Sequence, residues 1–303
     1  MIVKPKQNWF QLLFVWNGSV LQAIAPQLAL MALVSTLAVV TQGRIFGEKI
    51  PLNSSLLTLF GLTLAIFIGF RNTASYDRFR EGRILWGNAL IAARSMMSQT
   101  LSYLPDPATR LLVADLLVAC AYALKHELRG TDAQEDMVRL LGPERARELS
   151  GLNYQPVAVL HMLRDRMTQL NDAGALSDAR FWTLDAQFNE ISRTIGGCER
   201  IASTPIPFAY SVLLHRTVYT YCMLLPFGLV DSTEFFTPLL CVFLSYTLIA
   251  LEAIADEIAD PFGLAPNALA LDAIARGIER SVFELCGRDV PEPMPLKDGF
   301  LAT

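Results

Sequence analysis

Between Lys49 and Arg71 the chain carries no charged residue, and then Arg71, Asp77, Arg78, Arg80, Glu81 and Arg83 arrive within thirteen positions with no proline among them. A bilayer core about 30 Å thick is crossed by roughly 20 apolar residues in a helix rising about 1.5 Å per residue. The window Ile50–Phe70 therefore has the length of one crossing. Because nothing interrupts the helix where the charges begin, a single rod must change solvent within about a turn of Phe70. Composition agrees, with 52% of residues hydrophobic and 18% charged, against the roughly 25% charged residues of ordinary soluble domains.

Three further windows are poor in charge: Gln7–Gly43, Ile201–Val230, which is interrupted by His215 and Arg216, and the shorter Phe235–Leu251. Lys4 and Lys6 followed by an apolar run and Ala23-Ile24-Ala25 imitate a secretory leader. Pro26 would follow the cut, however, and the apolar run continues to Val40, so the segment reads as a retained helix. Basic residues cluster before the first window, after the second and before the third, whereas the turn Val230–Phe235 carries only Asp231 and Glu234. By the positive-inside rule both termini are cytoplasmic. The expected organisation is an interfacial N-terminal helix and two spans over 1–75, a helical cytosolic insertion over 76–205, two spans over 206–257, and a cytosolic helix with an extended tail over 258–303. The location expected is a cell membrane crossed several times. A net charge of −4 does not suggest nucleic-acid binding, and no nucleic-acid partner is expected.

The insertion reads as helix throughout. "DPATRLLVADLLVACAYALKHELRG" starts at Asp106-Pro107 and stops at Gly130. "GPERARELSG" is a short polar helix, and "SDARFWTLDAQFNEISRTIGGCERI" has a Ser177 cap and an expected end at Gly196-Gly197. "PNALALDAIARGIERSVFELCG" reads as an amphipathic helix entered at Pro266-Asn267 and left at Gly287, followed by "DVPEPMPL" lying along a neighbour. No strand pattern occurs, and the fold class is all-α.

Catalytic chemistry is hard to find. Cys120, Cys198, Cys222, Cys241 and Cys286 form no CxxC pair and read as reduced structural thiols. His126, His161 and His215 are isolated from one another and from any nucleophile motif. No phosphate-cradling glycine loop, metal site or cofactor is implied, so an enzyme is not expected. In the second window Leu62, Ile66 and Phe70 recur at i, i+4 and i+8, with Gly61 and Gly69 at the ends. Spacing alone is compatible with a packing stripe against another helix or with a functional face.

"FVWNGSVL", "FRNTASYDRFREGRILWG", "GGCERIASTPIPFAY" and "EAIADEIADPFG", in this order and at these separations, resemble the bestrophin family in its bacterial branch. The resemblance implies a homopentameric ion channel with four transmembrane helices per subunit and a large helical cytosolic portion. It makes Leu62, Ile66 and Phe70 the hydrophobic pore neck, and Arg71, Asp77, Arg78, Arg80, Glu81 and Arg83 the charges of the vestibule below, most of them expected to pair. A lower cytosolic aperture is implied among Ala179, Arg180, Phe181 and Trp182. The acids Asp256, Glu257 and Asp260 approach a Pro-Phe-Gly turn that in animal members leads into a calcium-clasping acidic run. Here that turn is followed by "LAPNALALD", and with so few carboxylates calcium gating is not expected. Permeation of monovalent cations such as sodium is the expectation for the bacterial branch, with a chloride or other anion channel as the alternative. An ion-coupled transporter and a non-conducting membrane scaffold are the other classes.

Overall fold

The computed structural model describes residues 1–4, 8–16, 18–45, 48–49 and 52–303; Lys6, Gln7 and Ile50, which bound two of the sequence windows or their flanks, lie outside them. In chain order the elements are α1 (Trp9–Leu12), α2 (Leu21–Val40), β1 (Arg44–Ile45), β2 (Glu48–Lys49), α3 (Ser54–Tyr103), α4 (Pro107–Arg129), α5 (Gln134–Leu141), α6 (Pro143–Ser150), α7 (Gln155–Asp172), α8 (Asp178–Ser203), α9 (Phe208–Thr233), α10 (Thr237–Ala259) and α11 (Leu271–Leu285). A single 3-10 turn, Glu234–Phe236, links α9 to α10. The chain forms two compact units: a bundle unit of Lys4–Arg78 with Pro205–Asp260, and an insertion unit of Met1–Val3, Phe79–Thr204 and Pro261–Thr303. The first and third of the segments read from the sequence thus join in one unit, and the C-terminal segment belongs with the insertion.

The bundle unit holds a narrow core of Ile24 and Met31 from α2, Leu64 and Ile68 from α3, Leu214, Val218 and Cys222 from α9, and Ile249 from α10. Most of its apolar surface points outward: Val40, Leu59, Phe208 and Phe243 are all exposed. Only 22%, 17% and 28% of the apolar windows of α2, α3 and α9–α10 are buried in protein. Surfaces of that size and character are covered by lipid or by other subunits rather than by water. Four helical stretches among the described residues are long and apolar enough to cross a membrane, and one of them is α4. That helix is different in kind. Two-thirds of its apolar window is buried in protein, against α5, α7 and α11, so it is the central core helix of the insertion unit.

Around α4 the insertion unit packs Trp86, Met96, Met97, Leu163, Phe188, Phe262 and Ile278 into one continuous core. Local signals set its helix ends as expected at two places. The Asp106 carboxylate accepts from the backbone N–H of Ala108 and Thr109, with Pro107 at the first helical position. Gly130 closes α4 in the left-handed region at φ 60°.

Three local expectations are corrected. α8 does not end at Gly196-Gly197 but continues to Ser203, because Gly197 lies against Leu85 of α3, where an added Cβ would meet both Leu85 methyls at 2.8 and 2.9 Å. The glycine permits a close helix crossing instead of a stop. α11 begins at Leu271 and not after Pro266-Asn267; the intervening residues turn back on themselves, the Leu269 N–H donating to the Pro261 carbonyl at 2.8 Å. A two-stranded antiparallel hairpin, Arg44 opposite Lys49, interrupts the all-helical pattern. It is tied to α9 by a Lys49–Asp231 ion pair at 2.7 Å. Beyond the proline-rich segment, the last residues lie against Met1–Val3 of the same chain. Ile2 bridges Leu301, the Val3 N–H donates to the Phe300 carbonyl at 2.7 Å, and that of Ala302 to the Met1 carbonyl at 2.9 Å.

Candidate functional site

α3 runs fifty residues without a break, and its two faces in the bundle unit differ sharply. Leu64 and Ile68 are buried at 4% and 3% exposure, whereas Leu62, Ile66 and Phe70 stand 60%, 51% and 69% exposed. The stripe is therefore not a packing surface within this subunit. It is an uninterrupted apolar face presented to whatever surrounds the bundle. Helical geometry places Asp77, seven residues or about two turns beyond Phe70, on nearly the same line, and it is exposed.

The charge cluster divides where the helix passes from one unit to the other, between Arg78 and Phe79. In the bundle unit Arg71 is 7% exposed and its guanidinium pairs with Asp256 of α10, leaving Nε and Nη1 enclosed without an acceptor. Arg78 donates from Nε to the Ala259 carbonyl at 2.8 Å. In the insertion unit Glu81 pairs with Arg200 of α8, while Arg83 is exposed. Asp77 and Arg80 also have partners. Arg71 and Arg78 thus reach α10, and Glu81 reaches α8. Arg71 in particular is taken up inside the bundle and does not stand free as a vestibule charge within the subunit.

The four aperture candidates occupy the first turn of α8 and point in different directions. Phe181 packs against the insertion core. Arg180 lies over the Tyr103 ring, 5.4 Å from its centroid, and donates to the Tyr103 carbonyl at 3.5 Å. Ala179 is exposed, and Trp182 is 81% exposed; three residues apart, they share one outer face. Of the C-terminal acids, Asp256 is committed to Arg71, Glu257 also has a partner, and Asp260 ends α10.

The pairing of His215 escaped the sequence reading. His215, taken there as isolated, lies 3.0 Å from Glu252 Oε1 and stacks obliquely on Tyr219 at 4.3 Å. Together with Phe208, Ser211, Arg216 and Asp256 it lines an open groove of about 260 Å³ in the bundle unit. A separation of thirty-seven residues leaves no local trace of such a pair. The five cysteines are free thiols, and burial pushes Cys120 and Cys198 up to about 12, which keeps them protonated and inert. Among the described residues no group of three or more metal-ligating side chains occurs.

The exposed apolar face and the charges that follow it thus lie on one unbroken helix. The family model described as Bacterial/Fungal Bestrophin protein matches residues 1–284. The chain is a bacterial-type bestrophin. This bestrophin is 41% identical over 293 residues to a voltage-dependent anion channel-forming protein of Ralstonia nicotianae, covering 95% of both chains. It is 39% identical to the voltage-dependent anion channel-forming protein YneE of Escherichia coli K12 over 94% of both. A crystal structure of a bacterial bestrophin homologue from Klebsiella pneumoniae superposes with a TM-score of 0.85 at 40% identity, covering 88% of this chain and 99% of that one. Family and apolar helices together make this bestrophin a membrane protein.

Proposed function

We propose that this bestrophin is the subunit of a homopentameric ion channel, not an enzyme, in which the apolar face of α3 lines the neck of a central pore and monovalent anions move down their gradient. The observation that carries the pore is the exposure of Leu62, Ile66 and Phe70 opposite the buried Leu64 and Ile68. An apolar ring constricts passage by excluding water when narrow, and five copies of one helix close such a ring. In this reading α2, the first part of α3, α9 and α10 are the four spans, the insertion unit and both termini are cytoplasmic, and the membrane is the bacterial inner membrane.

The sign of the permeating ion is supported by the names of the relatives, which specify anions. The sodium expectation drawn from the resemblance has no support among them. One feature of this chain favours the cation reading as a second possibility: Asp77 continues the line of the neck, and five-fold repetition would make it an acidic ring. A reversal potential in planar bilayers under unequal NaCl separates the two, since anion and cation selectivity give opposite signs. A reversal potential of zero with measurable current refutes selectivity of either sign. Native mass of the detergent-solubilised protein should give five chains, and a monomer or dimer alone would overturn the ring. Flux against a gradient would point to a transporter, and a pentamer that leaves liposomes tight to a scaffold.

A further inference from the structure

α4 carries Glu127 two residues before its end, and α8 carries Glu199 two residues beyond the Gly197 crossing. The two side chains, 72 positions apart, meet inside the insertion unit within hydrogen-bonding reach. Glu127 Oε2 and Glu199 Oε1 are both fully enclosed, and among the described residues no N–H or O–H donates to either. Two carboxylates cannot donate to each other, and a carboxylate oxygen enclosed without a donor carries the full cost of its lost hydration. A proton on one of them resolves both problems, because a carboxylic acid donates and a carboxylate accepts.

Other charges do not relieve the pair. On α4, Lys125, His126 and Arg129 are committed to Asp136 and Asp272. On α8, Arg200 turns to Glu81 of α3. The thiols Cys120 and Cys198 lie close enough to feel the Glu127 charge and the Glu199 and Glu81 charges respectively. We infer that Glu127 and Glu199 form one proton-binding site, a carboxylic acid–carboxylate pair whose single shared proton ties the C-terminal part of α4 to that of α8.

Burial first, then the Glu199 charge and their hydrogen bond, push Glu127 up to about 7, so the pair releases its proton near neutrality. The folded-state value is raised above the unfolded one. The pair's contribution to stability is therefore complete below the unfolded value of about 4.3 and is lost as pH rises through about 7. On release the proton passes to solvent and two like charges face each other across the helix contact. The inference rests on the insertion unit alone and is independent of the channel reading.

The test is an infrared titration of the full-length, detergent-solubilised protein from about pH 5 to about pH 9, following the carbonyl stretch of protonated carboxyl groups, which histidine and cysteine lack. Wild type should lose one such band with a midpoint near 7. In Glu127→Gln and in Glu199→Gln the surviving carboxylate accepts from an amide in place of a carboxyl, so the near-neutral band should vanish in each. A wild-type titration confined to the ordinary carboxyl range overturns the inference even if neither variant folds. So does a near-neutral band that persists in either variant.

Discussion

Ile66 and Ile68 sit two residues apart on α3 and point in opposite directions, which makes them a matched pair for testing what that helix does. Replacing Ile by Ala removes three carbons, a transfer term of about 2.4 kcal/mol at about 0.8 kcal/mol per methylene. Ile68 is 3% exposed within the bundle core, so its truncation also leaves a cavity and should cost about 2–5 kcal/mol. Ile66 is 51% exposed. In a bilayer the outward half has no hydrophobic driving force to lose, so only its inward contacts count, and the subunit should lose about 1 kcal/mol or less. If five Ile66 side chains ring a dewetted neck, shortening them lets water and ions in. A rise of several-fold in single-channel conductance or open probability corresponds to about 1 kcal/mol taken off the barrier.

The assay pairs thermal unfolding and gel filtration of both variants with single-channel recording in planar bilayers. Ile68→Ala should melt several degrees lower, and where channels survive their conductance should stay near wild type. Ile66→Ala should keep its oligomer and melting point and conduct more. Selectivity should change little in either, because apolar side chains carry no sign. The reasoning fails if Ile66→Ala is destabilised as much as Ile68→Ala while its conductance is unchanged. That outcome would make the stripe a subunit–subunit packing face and remove α3 from the pore wall.

Three more predictions concern the insertion unit and its surroundings. Gly196→Ala should raise stability by up to about 1 kcal/mol, since a Cβ there meets nothing within 4 Å and glycine is a poor helix former; Gly197→Ala must displace Leu85 and should lower it by about 1–3 kcal/mol, both read as melting shifts. Glu279, at 1% exposure, accepts from Tyr122 Oη at 2.7 Å and pairs with Arg139 and Arg276; Glu279→Ala takes the carboxylate from Arg276 and leaves Arg139 with Asp136 alone, and should cost about 3 kcal/mol, while a loss under about 1 kcal/mol would show the network to be dispensable. Asp136 is raised by burial, but hydrogen bonds from His126 and Arg139 and the nearby Lys125 charge outweigh that and hold it down at about 2; its contribution is present above the unfolded value of about 3.9 and should be lost as pH falls toward about 2, a step in the acid melting curve that Asp136→Asn would abolish.

Most of what could be read from the sequence is what the chain decides within a turn or two. Solvent preference is additive over twenty residues, so the apolar windows were visible without any knowledge of partners. The caps at Asp106 and Gly130 depend only on neighbouring N–H and carbonyl groups. Gly196-Gly197 looked like the same kind of signal, yet α8 runs through it, because the value of a missing Cβ there is set by Leu85, more than a hundred residues away in sequence. Arg71–Asp256, Glu81–Arg200 and Glu127–Glu199 escaped for that reason. The charges were counted correctly, but charge alone does not say whether a neighbour will be a partner or a competitor. This bears on the opening cluster of α3. Arginines that look identical in sequence divide between Arg71, sunk in the bundle and spent on Asp256, and Arg83, left exposed. Neutralising Arg83 should therefore shift permeation without unfolding the subunit. Neutralising Arg71 should do the reverse, because Asp256 would lose the cation that holds it against α3.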